Sequence, residues 1–179
     1  MMTVHTAPKE NEYAPYFGRY ISLIASDDIV ATLESQIAGT AVLLAGLAPQ
    51  DGHYRYAPEK WTVNEALGHI IDTERIFAYR ALRIARNDPT PLPSFEQDDY
   101  VKYGPHASCR LPDLLEEFRC IRRSSLFLFQ NLQPEAWTRI GTAGQNPISV
   151  RAIAWIIAGH EVHHAKILRE SYLPNLAAR

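Results

Sequence analysis

The sequence predicts an all-α fold, a four-helix bundle, on three observations. Four stretches repeat apolar residues at steps of three and four, the spacing of a helix with one buried face. Between them stand clusters of Pro, Gly and polar residues that end helices. No run of alternating β-branched residues, internal repeat or low-complexity tract competes with this reading.

Residues 1–24 carry Pro8, Pro15 and Gly18 with no sustained period. They read as an irregular arm lying over the body, with little chemistry expected of it. The bundle domain follows over 25–175. Ser26-Asp27-Asp28 is a helix start, after which Val30, Leu33, Ile37, Thr40, Leu44 and Leu47 recur at helical spacing until Pro49. Thr62 and Glu65 have the offset of a capping box, so a second helix begins there and runs to about Arg86, closed by Asn87-Asp88-Pro89. The stretch 89–111 holds Pro89, Pro91, Pro93 and Pro105 among polar and aromatic residues. It reads as a long crossover that lets the third helix start at the far end of the bundle. In that helix, from about Pro112 to Asn131, Leu114, Phe118, Ile121, Ser125, Leu128 and Leu132 again step by four and three. After a turn near Pro134, the residues Gly141, Gly144 and Pro147 interrupt the chain, and Ser149 opens the last helix.

With 179 residues the chain fits one domain and can bury a real core. A net charge of −2 and a pI near 6.4 offer no general attraction to nucleic acid or an anionic membrane surface. No apolar run approaches the roughly 20 residues of a membrane span, and the N-terminal residues lack the apolar core of a signal peptide. These features point to a cytoplasmic protein. Cys109 and Cys120 lack the close pairing of a redox or zinc motif and read as reduced thiols, Cys120 packing rather than reacting.

The last helix holds the most informative pattern. Ile153, Ile157, His160, His164 and Ile167 follow one face, placing two imidazoles inside an apolar stripe. Residues four apart rise roughly 6 Å and turn by only about 40°, so both rings reach one point beside the helix, where a divalent metal fits. In the second helix His69 stands beside Ala66, Ile70 and Phe77 and is the candidate third ligand, since facing helices lie about 8–10 Å apart. The spacing leaves open whether the three rings meet or are separately packed or exposed. His5, His53 and His106 fall in loops without ligand spacing, and His163, one position off the stripe, takes a surface or supporting place.

Several elements together resemble the DinB/YfiT superfamily. They are Trp61-Thr62-Val63-Asn64-Glu65 leading into Gly68-His69-Ile70-Ile71-Asp72-Thr73-Glu74-Arg75, the later Arg139-Ile140-Gly141-Thr142-Ala143, and Gly159-His160-Glu161-Val162-His163-His164. The likeness runs from roughly Tyr20 to Pro174. It implies a four-helix bundle with a long crossover, a divalent metal held by His69, His160 and His164, and a homodimer. It also implies either a metal-dependent hydrolase or a transferase acting with a low-molecular-weight thiol.

Three neutral imidazoles leave an ion its full charge and an open position, as in catalytic zinc sites. A water there loses its proton near neutral pH and a thiol becomes a thiolate, so either is the expected nucleophile, on a small-molecule substrate. Imidazole suits zinc, nickel, iron and copper, with zinc or nickel the expectation here. Among helpers, Asp72 is three residues beyond His69 and placed to orient an imidazole, or else to face solvent. Glu161 projects about 100° from His160, toward the bundle edge rather than the metal, and is a weaker acid or base candidate. Arg80 and Arg83 continue the His69 face and are candidates for an anionic substrate, although pairing with Asp98 or Asp99 is the simpler expectation. Trp61 and Trp155 read as core. The reading from another class is a non-catalytic metal-binding module for stress response or sensing.

Overall fold

The structure, a computed structural model, describes residues 6–177; His5 lies outside them. Four long helices form the bundle: α2 (Ile29–Leu44), α3 (Val63–Ala85), α5 (Leu111–Gln130) and α6 (Val150–Ile167). Each starts where the local chemistry directs. Asp28 accepts the Ala31 N–H, Thr62 and Glu65 close a reciprocal capping box, and Ser149 accepts the Ala152 N–H. A proline in the first turn of α5 removes a donor that would have no partner there.

Each of α2 and α3 packs against both α5 and α6, so α2 and α3 stand diagonally across the bundle. The start of α5 lies beside the start of α3, where the Asn64 side chain donates to the Cys109 carbonyl at 2.8 Å. Further along, Arg75 reaches Glu117 and Glu74 meets Arg122. These two helices therefore run parallel, which only a long crossover permits. That crossover is not plain loop: it contains α4 (Gln97–Tyr103) and a single turn at His106–Ser108.

Three further features go beyond the expectations. The segment before α6 is a hairpin, β1 (Ile140–Ala143) with β2 (Asn146–Ser149), pairing Ile140 with Ser149 and Ala143 with Asn146. Its two-residue turn places Gly144 and Gln145 at φ 56° and 68°, the left-handed pair a tight hairpin requires. The arm contains short turns and a one-turn helix, α1 (Gly18–Ile21), and it is fastened to the bundle. Buried Glu12 accepts from Ser149 Oγ at 2.7 Å and from Arg151 Nε at 2.7 Å, tying the arm to the start of α6. Finally, α6 continues through a π turn, Leu168–Tyr172, into α7 (Leu173–Ala177).

At the centre of the bundle, among mostly apolar side chains, four helices meet at one buried charged group. Arg122 is fully buried and grips Glu74 with two hydrogen bonds of 2.8 and 2.9 Å. It also donates to the Leu33 carbonyl and to Gln36, both at 3.1 Å. Its Nη2 stands 2.6 Å from Glu161 Oε2, an ion pair whose geometry is off-line for a hydrogen bond, while Glu161 Oε1 accepts from Thr40 at 2.5 Å. One guanidinium thus joins α2, α3, α5 and α6. Glu161 therefore lies inside the bundle and not at its edge, because α6 is buried all round from Ala152 to Glu161. Cys120 is exposed rather than packed.

Removing the cation from such a group leaves two buried carboxylates without compensation, a loss of about 3–5 kcal/mol. Arg122→Met is expected to lower unfolding stability by that amount in a urea titration. Arg123→Ala, the next residue and on the exposed side of α5, is expected to change it by less than about 0.5 kcal/mol. Equal effects would contradict the role assigned to Arg122.

Candidate metal centre

Helix α3 turns His69 inward and α6 turns His160 and His164 toward it. His69 Nε2 lies 3.0 Å from His160 Nε2, and His164 Nε2 lies 3.1 Å from the same atom. All three ligand nitrogens fall within 4.8 Å of one another. Two nitrogens each about 2.1 Å from one ion stand roughly 3 Å apart, so the spacing fits a shared cation. Hydrogen bonding alone satisfies the cluster poorly. A neutral imidazole nitrogen carries either one hydrogen or one lone pair, so His160 Nε2 makes one good hydrogen bond and leaves its second close neighbour unsatisfied. A cation at the common point accepts all three lone pairs.

Packing holds the rings in place. Trp61 lies against His69, with centroids 4.8 Å apart, and stacks more distantly on His164 at 6.4 Å. Its carbonyl accepts from Tyr172 Oη at 2.7 Å, which fastens the loop before α3 to the π turn after α6. Tyr20, from the arm, packs edge-on against His160 and His163 at 5.3 and 5.4 Å. A glycine stands immediately before a converging histidine in each helix, and both admit a close neighbour. A Cβ on Gly159 would lie 2.0 Å from the Tyr20 carbonyl oxygen, and one on Gly68 would lie 2.1 Å from the His106 ring. The arm and the crossover thus close over α6 and α3 beside His160 and His69.

The remaining sequence candidates separate clearly. Asp72 does not support His69: it pairs with Arg75 at 3.1 Å and faces the buried His106 ring at 3.8 Å. His106 is accordingly core, not an open loop residue. Glu161 belongs to the Arg122 group described above. Arg83 binds Asp88 and Tyr79, away from the histidines. Arg80 pairs with neither Asp98 nor Asp99; it is buried, donates to the Pro93 carbonyl at 2.6 Å, and lines a cavity with His69 and His160. His163 stays beside the site without joining it, and His53 is exposed. Trp155 is core as expected, whereas Trp61 flanks the histidines. The sequence gives no sign of Tyr20 and reads Trp61 only as core, because the contacts of both with the histidines are made between segments distant in the chain. The charged residues Glu74 and Arg122 inside apolar stripes were the available signal for the buried ion group.

Burial sets the protonation of the three histidines. It lowers His69 to about 4 and His164 to about 3, with neighbouring histidines adding to the effect, and it takes His160 well below its ordinary value. The rings are therefore neutral and ready for a cation at pH 7. In the unfolded chain they titrate near 6.5. Between that value and about 4 the unfolded state binds more protons than the metal-free folded state, so stability falls as pH falls across this window. In chelator, the melting temperature is expected to drop steadily from pH 7 to pH 5, with a shallower slope in His160→Leu. An identical slope in the variant would show that the histidines are not desolvated. Once a metal is bound, proton competition within the fold begins near pH 4 rather than 6.5, so ion retention should outlast that of a surface histidine cluster.

Among the described residues no helix is long and apolar enough to cross a membrane. Compared with solved structures, the fold is similar to YfiT from Bacillus subtilis, described as a probable metal-dependent hydrolase with an unusual four-helix bundle topology. The two share 13% identity, with a TM-score of 0.72 over 91% of this chain and 89% of that one. At that identity the likeness speaks for the fold alone. No curated protein matches the chain. The family model of the DinB superfamily matches residues 32–168, a span that takes in the whole of α3, α5 and α6 and all three converging histidines. The chain belongs to the DinB superfamily.

Proposed function

We propose that the protein is a divalent-metal-dependent enzyme acting on a small molecule, with hydrolysis as its reaction and His69, His160 and His164 as the metal ligands. The convergence of three neutral imidazole nitrogens on one point, two from buried rings and one from the half-buried His164, carries this reading. The description of YfiT as a probable metal-dependent hydrolase supports it. A set of three neutral ligands fits zinc or nickel and leaves room for an exogenous group.

The chemistry such an ion supplies is a lowered pKa for a water or thiol in its open position and an electrophilic pull on a substrate carbonyl. The chain itself contributes orientation and exclusion of water. Trp61 and Tyr20 fix the ring planes, while the arm and the crossover shield the site from bulk solvent. A cavity of about 480 Å³ opens from His69 and His160, a size suited to a small organic substrate.

One observation favours a second reading, transfer of a low-molecular-weight thiol. His164 lines a separate cavity of about 340 Å³ with Trp61 and Tyr172, so two molecules have room to approach the histidines from different sides. The proposal also includes a homodimer, supported by the exposed Val42 and Phe127 on α2 and α5, and a cytoplasmic setting, in keeping with two free cysteines.

Metal-loaded protein incubated with an electrophile panel, with and without each low-molecular-weight thiol, is expected to give water-derived products by mass spectrometry. His160→Ala is expected to abolish them and to lose the ion by elemental analysis. Thiol adducts would instead select the transferase reading. Silence from both, with metal retained, would favour a non-catalytic metal-binding module and contradict the proposal.

A further inference from the structure

The larger cavity has two chemically distinct ends. At one end are His69 and His160; at the other is Arg80, and Phe77 and Phe95 line the wall between. His69, Thr73 and Arg80 share one face of α3, with Cα atoms of the outer two separated by roughly 16 Å of helical rise. The backward lean of helical side chains brings the guanidinium toward the histidines from that position.

Arg80 is an exception among the arginines in the interior. Both Arg80 and Arg122 are buried, yet Arg122 holds two carboxylates while Arg80 has none within ion-pair distance among the described residues. Its single hydrogen bond runs to the Pro93 carbonyl, and the guanidinium lies over the rings of Phe77 and Phe95 at 5.0 and 5.7 Å. Burying a cation on aromatic faces with four N–H groups unspent is costly unless an anion completes the site. Thr73, between Arg80 and His69, also has a buried hydroxyl without a hydrogen-bond partner. Glu96 and Asp98 reach the cavity from the exposed side of the crossover, so a doubly charged anion meets repulsion that a singly charged one largely avoids.

We propose that Arg80 is the recognition end of the substrate cavity and that the substrate is a small monocarboxylate. Its carboxylate sits on the guanidinium, its apolar body packs between Phe77 and Phe95, and its reacting group extends toward His69 and His160. This rests on the reading of the histidines as a metal-dependent site for the reacting end, but the recognition end is tested without turnover.

The test uses the full-length zinc-loaded protein, titrated by calorimetry with 4-phenylbutyrate, its neutral amide and phenyl phosphate. The carboxylate is expected to bind at least tenfold more tightly than the amide, and more tightly than the phosphate. Arg80→Met is expected to remove that preference and Arg80→Lys to restore part of it. Melting curves for Arg80→Met are expected to show an unchanged or raised transition, because a costly buried cation has been removed; a large drop would mark Arg80 as structural and overturn the proposal. Equal affinity for carboxylate and amide overturns it, as does tighter binding of the phosphate or no saturable binding of the carboxylate. Repeating the titration after zinc removal separates the two readings. A preference that survives in the metal-free protein and still depends on Arg80 upholds the recognition end whatever becomes of the metal. A preference that vanishes with zinc and ignores Arg80→Met places the carboxylate on the ion and refutes it.

Discussion

Three imidazoles occupy a region of the bundle from which water is largely excluded, and their desolvation constrains everything around them. Burial keeps the rings neutral. Neutrality makes their nitrogens lone-pair donors, and packing aims those lone pairs at one point. A polar group placed in such surroundings needs a partner or it weakens the fold. The protein meets this demand by bringing the donors together from two helices that its topology sets side by side. The arm and the crossover then close over them at positions where glycine alone leaves space.

The ion group around Arg122 solves the neighbouring problem. Glu161 follows His160 directly and is also inside, so α6 presents one of the converging imidazoles on one face and a carboxylate on the next. Binding that carboxylate to a guanidinium shared with Glu74 sets α6 against α3 and α5. Any rotation of α6 that would carry His160 away from His69 also separates Glu161 from Arg122. Side chains that never face the cavity thereby contribute to the alignment of those that do.

Much of this was legible in the sequence, and the limits have physical causes. Helix starts and the pair His160 and His164 depend on residues within one turn or two, so spacing reveals them. His69 required a contact between helices, which spacing allows without determining. Glu161 was misplaced because a single buried stripe was assumed, whereas α6 is surrounded on all sides. The hairpin escaped notice because its strands are four residues long and β1 shows no fully buried position. Arg80 was expected to find an acidic partner on the crossover, but Asp98 and Asp99 sit exposed on α4 while the guanidinium turns inward to Pro93. Tyr20 lies about 140 residues before the ring it covers, and no local pattern announces a contact of that kind.

The central claim is that one cation binds where the three Nε2 atoms meet. Anomalous diffraction from crystals of the protein grown with zinc, recorded on both sides of the metal's absorption edge, tests it directly. The account predicts a single strong peak about 2.1 Å from Nε2 of each of His69, His160 and His164. A peak elsewhere, or rings turned away from a common point in crystals that contain the metal, would contradict it.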